Sequence, residues 1–442
     1  MSRLAPGRPA VLLALAVIVL GGAGLRGWQA AHPRLTHESA DERVYAALSR
    51  TLAEDLRYGD RSSGQRHPFI AAPGAPIGFA VARRLSPGRP GSPTDIPAAY
   101  WLLAGVGTAL IVATFALGSR LGGDGAGLIA AAVVAVYPPL VRTTGELLSE
   151  PFGALAITLA VLALVAGRSP PRRALLVVGG GLLGLAALSR ADLLIALVAC
   201  PLVLMVLSIR DGRARAGAAS AATVLAAGTL VIAPWVGYAS LRSGSLLPIT
   251  ETDATTLLVG AYLPGDGTTA GFKRSVADET RAHMPELREL TDLELPGAAV
   301  IETVRARRPH LGYRDAVRAQ ALENVRRYAV GRPAAFAAMM GRKAARMWRQ
   351  PSQIRSPAAD AMHRIVLVVA VAGLLAGALW GPRGDLLLVT SVILSSTLLH
   401  AVLVAQPRYA IPLIALLAAG GASGISAMWS RRAHRRATPA RP

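Results

Sequence analysis

Apolar residues fall into ten blocks along the chain, at residues 10–25, 99–118, 125–141, 151–167, 173–189, 192–209, 217–239, 363–380, 385–404 and 410–429. Since an α-helix rises about 1.5 Å per residue and a bilayer's hydrocarbon is ~30 Å thick, roughly 20 such residues suffice to cross it. The pattern predicts an all-α polytopic membrane protein of about ten transmembrane helices. Two long polar stretches, 26–98 and 240–362, separate the blocks. The chain then divides into a membrane module over 1–239 that includes the 26–98 loop, a loop over 240–362, membrane helices over 363–430 and a basic tail at 431–442.

The polar stretches carry patterns of their own. Val44, Ala47, Leu48 and Leu52 recur at helical spacing, which predicts an amphipathic helix opened by Asp41 and Glu42. From Arg66 to Gly78, three prolines and Gly74 within apolar residues predict an ordered, non-helical descent towards the bilayer. Between 314 and 349, Ala316, Val317, Ala321, Val325, Phe336, Met339, Met340, Met347 and Trp348 form apolar stripes opposite basic residues, the pattern of helices lying on a membrane surface. Gly179, Gly180, Gly181 and Gly184 lie inside a span, where close helix packing is their expected use.

Composition agrees with the pattern: 52% hydrophobic and 17% charged over 442 residues, against roughly 25% charge in soluble domains. A soluble enzyme is excluded. The net charge of +21 would make nucleic acid the first partner to consider for a soluble protein, but here the arginines follow the bilayer. With the N-terminus inside, short inner segments hold fifteen arginines (Arg3, Arg8, Arg120, Arg168, Arg172, Arg173, Arg210, Arg213, Arg215, Arg383 and five from Arg431 to Arg441), and short outer segments hold three, Arg142, Arg190 and Arg408. Arginine bias in short loops sets orientation, so both termini are expected in the cytoplasm and both long loops outside, in a multi-pass plasma-membrane protein. Nucleic acid drops out as a partner. Arg3 and Arg8 before the first block resemble a signal peptide, but the later spans favour an uncleaved first helix. Cys200 is the only cysteine, so no intramolecular disulfide forms, and the single Asn324 starts no glycosylation sequon.

Candidate chemistry gathers at the outer ends. Asp41 and Glu42 have two readings, as acids favoured by a helix N-terminus and as a general base held near the lipid surface. Glu150, before Pro151, is a helix-start acid or a functional carboxylate at the edge of an uncharged span. His67 is a candidate metal or phosphate ligand. Arg142 stands near Glu146 and Glu150, Arg190 beside Asp192, and Arg408 beside Tyr409, where it can neutralise a lipid phosphate. Neither a Walker loop nor HExxH nor CxxC spacing is present.

Asp41-Glu42-Arg43-Val44-Tyr45, Pro73-Gly74-Ala75-Pro76, Glu150-Pro151, Pro234-Trp235 and Arg408-Tyr409-Ala410-Ile411-Pro412, taken in order, resemble the GT-C glycosyltransferases. The nearest branch is that of the protein O-mannosyltransferases and lipid A aminoarabinose transferases, and the stretch Val325–Trp348 is similar to that family's surface helices. The resemblance implies catalysis on the outer face, a sugar passing from a polyprenyl phosphate with inversion to an acceptor hydroxyl of a protein, lipid or polysaccharide. It implies Asp41 as general base with Glu42 completing the pair, Glu150 as the second outer acid, and Arg408 and Tyr409 at the donor phosphate. Arg190 joins them as a candidate phosphate ligand. His67 matches no family position, Ala72 replaces the first proline of a Pro-Pro-Gly pattern, and a divalent metal is left open. The alternative is a transporter or flippase for a lipid-linked saccharide, which calls for charges or helix breaks at mid-span. The predicted span interiors hold neither acids nor bases.

Overall fold

The computed structural model describes residues 7–33, 39–59, 69–86, 94–349, 356–381 and 383–437. Among these residues the structure consists of helices joined by turns and short irregular segments. The first part holds α1 (Arg8–Ala31), α2 (Ala40–Asp55), α3 (Gly74–Leu85), α4 (Pro97–Gly122), α5 (Asp124–Val136), α6 (Pro138–Arg142), α7 (Glu150–Gly167), α8 (Arg173–Ser189), α9 (Leu194–Arg210) and α10 (Ala214–Ser243). Then come α11 (Asp253–Gly260), α12 (Thr269–His283), α13 (Gly297–Ala306), α14 (Tyr313–Val325) and α15 (Pro333–Arg349), followed by α16 (Pro357–Trp380), α17 (Arg383–Val402) and α18 (Ile414–Ala437).

Every predicted span is a helix, but the ten are not equivalent. Eight described helices are long and apolar enough to cross a bilayer, α5 and α6 form a pair bent by 56°, and α8 is shorter. Their outward faces are apolar, as at Leu20 (71% exposed) and Val368 (69% exposed), which suits lipid rather than water. Gly180 and Gly184 do serve close packing: a Cβ there would meet the Val224 and Gly228 carbonyls of α10 at 2.4 and 2.7 Å.

Two expectations are corrected. The stretch after Pro73 is not extended: α3 begins at Gly74, and Pro76 sits in its first turn, where the missing N–H has no intrahelical partner to lose. The first span also runs on to Ala31, which brings Arg26 into its interior, fully buried. The break between α5 and α6 explains that arginine. Pro138 and Pro139 remove the two N–H groups that would bond the Val134 and Ala135 carbonyls. Arg26 supplies replacements, Nη2 donating to Val134 at 2.8 Å and Nη1 to Ala135 at 2.9 Å, with Nη1 also 3.1 Å from Gly22 of its own helix. Gly107 makes room for it, since a Cβ there would lie 2.7 Å from Arg26 Nε. Beyond the break, Tyr137 Oη lies 2.5 Å from His363 Nδ1 of α16, both rings buried.

The chain forms two compact units, one of residues 1–249, 351–395 and 411–442, the other of 250–350 and 396–410. In the first, Ala30, Ala46, Phe79, Tyr100 and Leu147 share a core that joins α1, α2, α3 and α4 to the turn before α7. A fully buried phenylalanine such as Phe79 is worth roughly 2–3 kcal/mol. In the second, Leu258, Phe272, Val276, Val300, Val304 and Val317 unite α11 to α14, and Tyr328, Phe336 and Met339 pack α15 beside them.

Candidate active site

Ser39 caps α2, its Oγ accepting from the Glu42 amide at 3.2 Å while Glu42 Oε2 accepts from the Ser39 amide at 2.8 Å. This reciprocal capping box follows from serine at the cap and glutamate three residues on. It turns Glu42 inward, 4% exposed, where Oε1 accepts from the Leu147 amide at 3.2 Å. Both oxygens of Glu42 are thus held by backbone amides. Asp41, on the same first turn, is only half-buried.

One turn on, Tyr45 Oη donates to Ser149 Oγ at 3.0 Å. Burial, then Glu150, pushes the Tyr45 hydroxyl up to about 12, against the opposing pull of Ser149 and Arg190. Glu150 opens α7 at 2% exposure, and its Oε1 lies 2.9 Å from Arg190 Nη1. The other edge of the guanidinium meets Asp192, Nε to Oδ1 and Nη2 to Oδ2 each at 3.2 Å. Burial alone would lower the proton affinity of Arg190, but Asp192 and then Glu150 reverse this and raise it, so the cation is permanent. Arg142 bonds Glu146 at 2.6 Å. Burial lifts the Glu146 carboxyl above its ordinary range, with Arg142 opposing.

The first unit therefore brings Asp41, Glu42, Glu150 and Arg190 to neighbouring turns. It engages Arg190 with two carboxylates, an occupation that the single neighbour Asp192 in sequence did not reveal. Tyr45 and Ser149, which link the sets, are the residues that sequence reasoning passed over as participants. The Asp-Glu-x-x-Tyr spacing was the available signal for Tyr45.

Arg408 and Tyr409 belong to the second unit, half-buried in the 3₁₀ segment Pro407–Leu413. The Arg408 guanidinium carbon lies 5.4 Å from the Tyr409 ring centre, and Tyr409 stacks on His400 with centres 4.4 Å apart. His67 lies outside the described residues. Among the described residues no group of three or more His, Cys, Asp or Glu side chains is arranged to hold a metal ion.

No family model and no curated protein matches the chain. Solved structures do. The oligosaccharyltransferase of Archaeoglobus fulgidus, in complex with an inhibitory peptide and a dolichol-phosphate, aligns with 98% of this chain and 52% of its own at 15% identity and a TM-score of 0.54. The same enzyme tethered to an acceptor peptide containing the NVT sequon aligns with 98% of this chain and 51% of its own at 14% identity and a TM-score of 0.56. ArnT from Cupriavidus metallidurans bound to undecaprenyl phosphate aligns with 99% and 82% at 15% identity and a TM-score of 0.43. The chain spans about half the length of the oligosaccharyltransferase it matches. At such identities the likeness is one of fold alone, the fold that this chain shares with the oligosaccharyltransferase.

Proposed function

We propose that this protein transfers a sugar from a polyprenyl-phosphate donor to an acceptor hydroxyl on the extracytoplasmic face, with inversion. The observation that carries the reading is the acid-bearing first turn of α2 on a GT-C fold. A capping box fixes that turn, Glu42 is held there by two backbone amides, and Asp41 stands half-buried on it. In the reaction, the acceptor oxygen attacks the anomeric carbon as the carbon–oxygen bond to the donor phosphate breaks. Asp41 takes the hydroxyl proton as polyprenyl phosphate leaves. Arg408 and Tyr409 are candidate ligands of a donor phosphate by their resemblance to the family's Arg-Tyr pair. Glu42 acts as a positioning residue, and Glu150 with Asp192 holds Arg190 as the fixed frame behind the turn. The outer face is assigned from the arginine distribution.

The transporter reading gains one observation, because the bent α5–α6 pair and Arg26 are a helix break and a charge within the spans. Yet Arg26 spends its hydrogen bonds on the carbonyls that the break exposes, which accounts for both features without a cargo. Membranes supplied with labelled polyprenyl-phosphate sugar distinguish the two. Transfer in the wild type that disappears in Asp41→Asn is expected, and full transfer in that variant removes the proposed base. Movement of the lipid across sealed vesicles without transfer would establish transport instead.

A further inference from the structure

Lys343, one of two lysines in the chain, is fully buried on α15. Its Nζ donates to the Gly260 carbonyl at the end of α11, at 2.8 Å, and to the Val402 carbonyl at 3.1 Å. Val402 is the last residue of α17, so its carbonyl is among those a helix end leaves without an intrahelical donor. From there the backbone passes against Gly260, where a Cβ would stand 2.4 Å from the carbonyl carbon and oxygen of Leu403. His400 then fastens the same segment twice, its Nδ1 lying 3.1 Å from the Val404 carbonyl and its ring stacking on Tyr409. Trp348 adds a bond from Nε1 to Thr397 at 3.1 Å. The turn on the far side of the lysine is tied to the same helix, because Asp266 accepts from Arg342 and Arg346 at 2.6 and 2.7 Å.

We propose that Lys343 is a positioning residue that fixes where the chain leaves α17, and through residues 403–409 the presentation of Arg408 and Tyr409 to the donor phosphate. The inference rests on the donor-phosphate reading of those two residues. The amine is chemically suited to anchoring carbonyls. Burial, then Arg346, lowers it to about 8 against Asp266, and a neutral amine keeps two N–H groups for its two carbonyls. The anchor therefore holds on either side of that pH.

The test uses the full-length protein in detergent, with undecaprenyl phosphate as the probe. Lys343→Met, which retains the apolar stem and loses both donors, is expected to speed amide hydrogen exchange across 403–409 and to weaken binding of the probe about tenfold. Lys273→Met is the control, since it removes another lysine-to-carbonyl bond of the same unit, to Leu293 at 3.0 Å, and should change neither reading. Lys343→Gln serves where the methionine variant does not fold, because its stem is one atom too short to hold both carbonyls, and the same two changes are expected of it. Unchanged exchange at 403–409 overturns the proposal, and so does faster exchange with unchanged binding while Arg408→Gln binds weakly. Should Arg408→Gln itself bind the probe normally, the donor-phosphate reading fails, and the anchoring role is decided by exchange alone.

Discussion

Arg26 donates to the Ala135 carbonyl at 2.9 Å, in place of the N–H that Pro139 does not have. Its second nitrogen does the same for Val134 and Pro138, so one buried guanidinium completes a helix end that two prolines leave open. Arg26→Leu should destabilise the protein by on the order of 3 kcal/mol, because it strands two carbonyls away from water. In a Pro138→Ala/Pro139→Ala background the helix supplies its own donors, and the same substitution should cost much less. Thermal unfolding in micelles compares the two backgrounds, and equal losses would show that Arg26 does not act by replacing the proline donors.

Glu42 and Asp41 should separate cleanly. Glu42→Gln keeps one carbonyl oxygen for two amides, Ser39 and Leu147, and is expected to lose about 1 kcal/mol of stability with partial loss of transfer. Asp41→Asn should leave the melting temperature unchanged and abolish transfer. The assignment of roles is reversed if Glu42→Gln is the inactive, stable variant.

Removing Arg190 leaves Glu150 and Asp192 facing each other without a cation. Arg190→Gln is expected to cost about 3–5 kcal/mol, the range for breaking a buried ion pair from one side. Adding Glu150→Gln should recover part of that loss, since one of the stranded charges is gone. A double-mutant cycle of unfolding free energies measures the coupling, and additive losses would exclude it.

Tyr45 provides a pH signature. Its folded-state hydroxyl titrates at about 12, against about 10 in the unfolded chain, so folding favours the neutral form. That contribution is whole below pH 10 and is lost as pH rises towards 12. Wild-type protein should thus lose melting temperature faster than Tyr45→Phe between pH 10 and 11.5. Parallel curves would place the phenol in water rather than in the network with Ser149.

Much of the architecture was legible from order alone. A span must offer lipid about 20 apolar residues and satisfy its own backbone, so hydropathy located α4, α7, α9, α10 and α17 to within four residues, while α1 and α16 each run six residues further and α18 eight. The acid-bearing turns were marked by charges beside apolar blocks, and the structure adds that Ser39 and Glu42 close a capping box on the first of them. Other features depend on partners far apart in the chain. That Glu42 spends its second oxygen on Leu147, that Arg190 is shared by Glu150 and Asp192, and that Lys343 reaches Val402 are contacts that no local pattern encodes. Arg26 shows the reason most plainly. A hydropathy window stops at an arginine because charge is costly in lipid, and only packing reveals that two proline-freed carbonyls, 108 and 109 residues away, are what that charge is for.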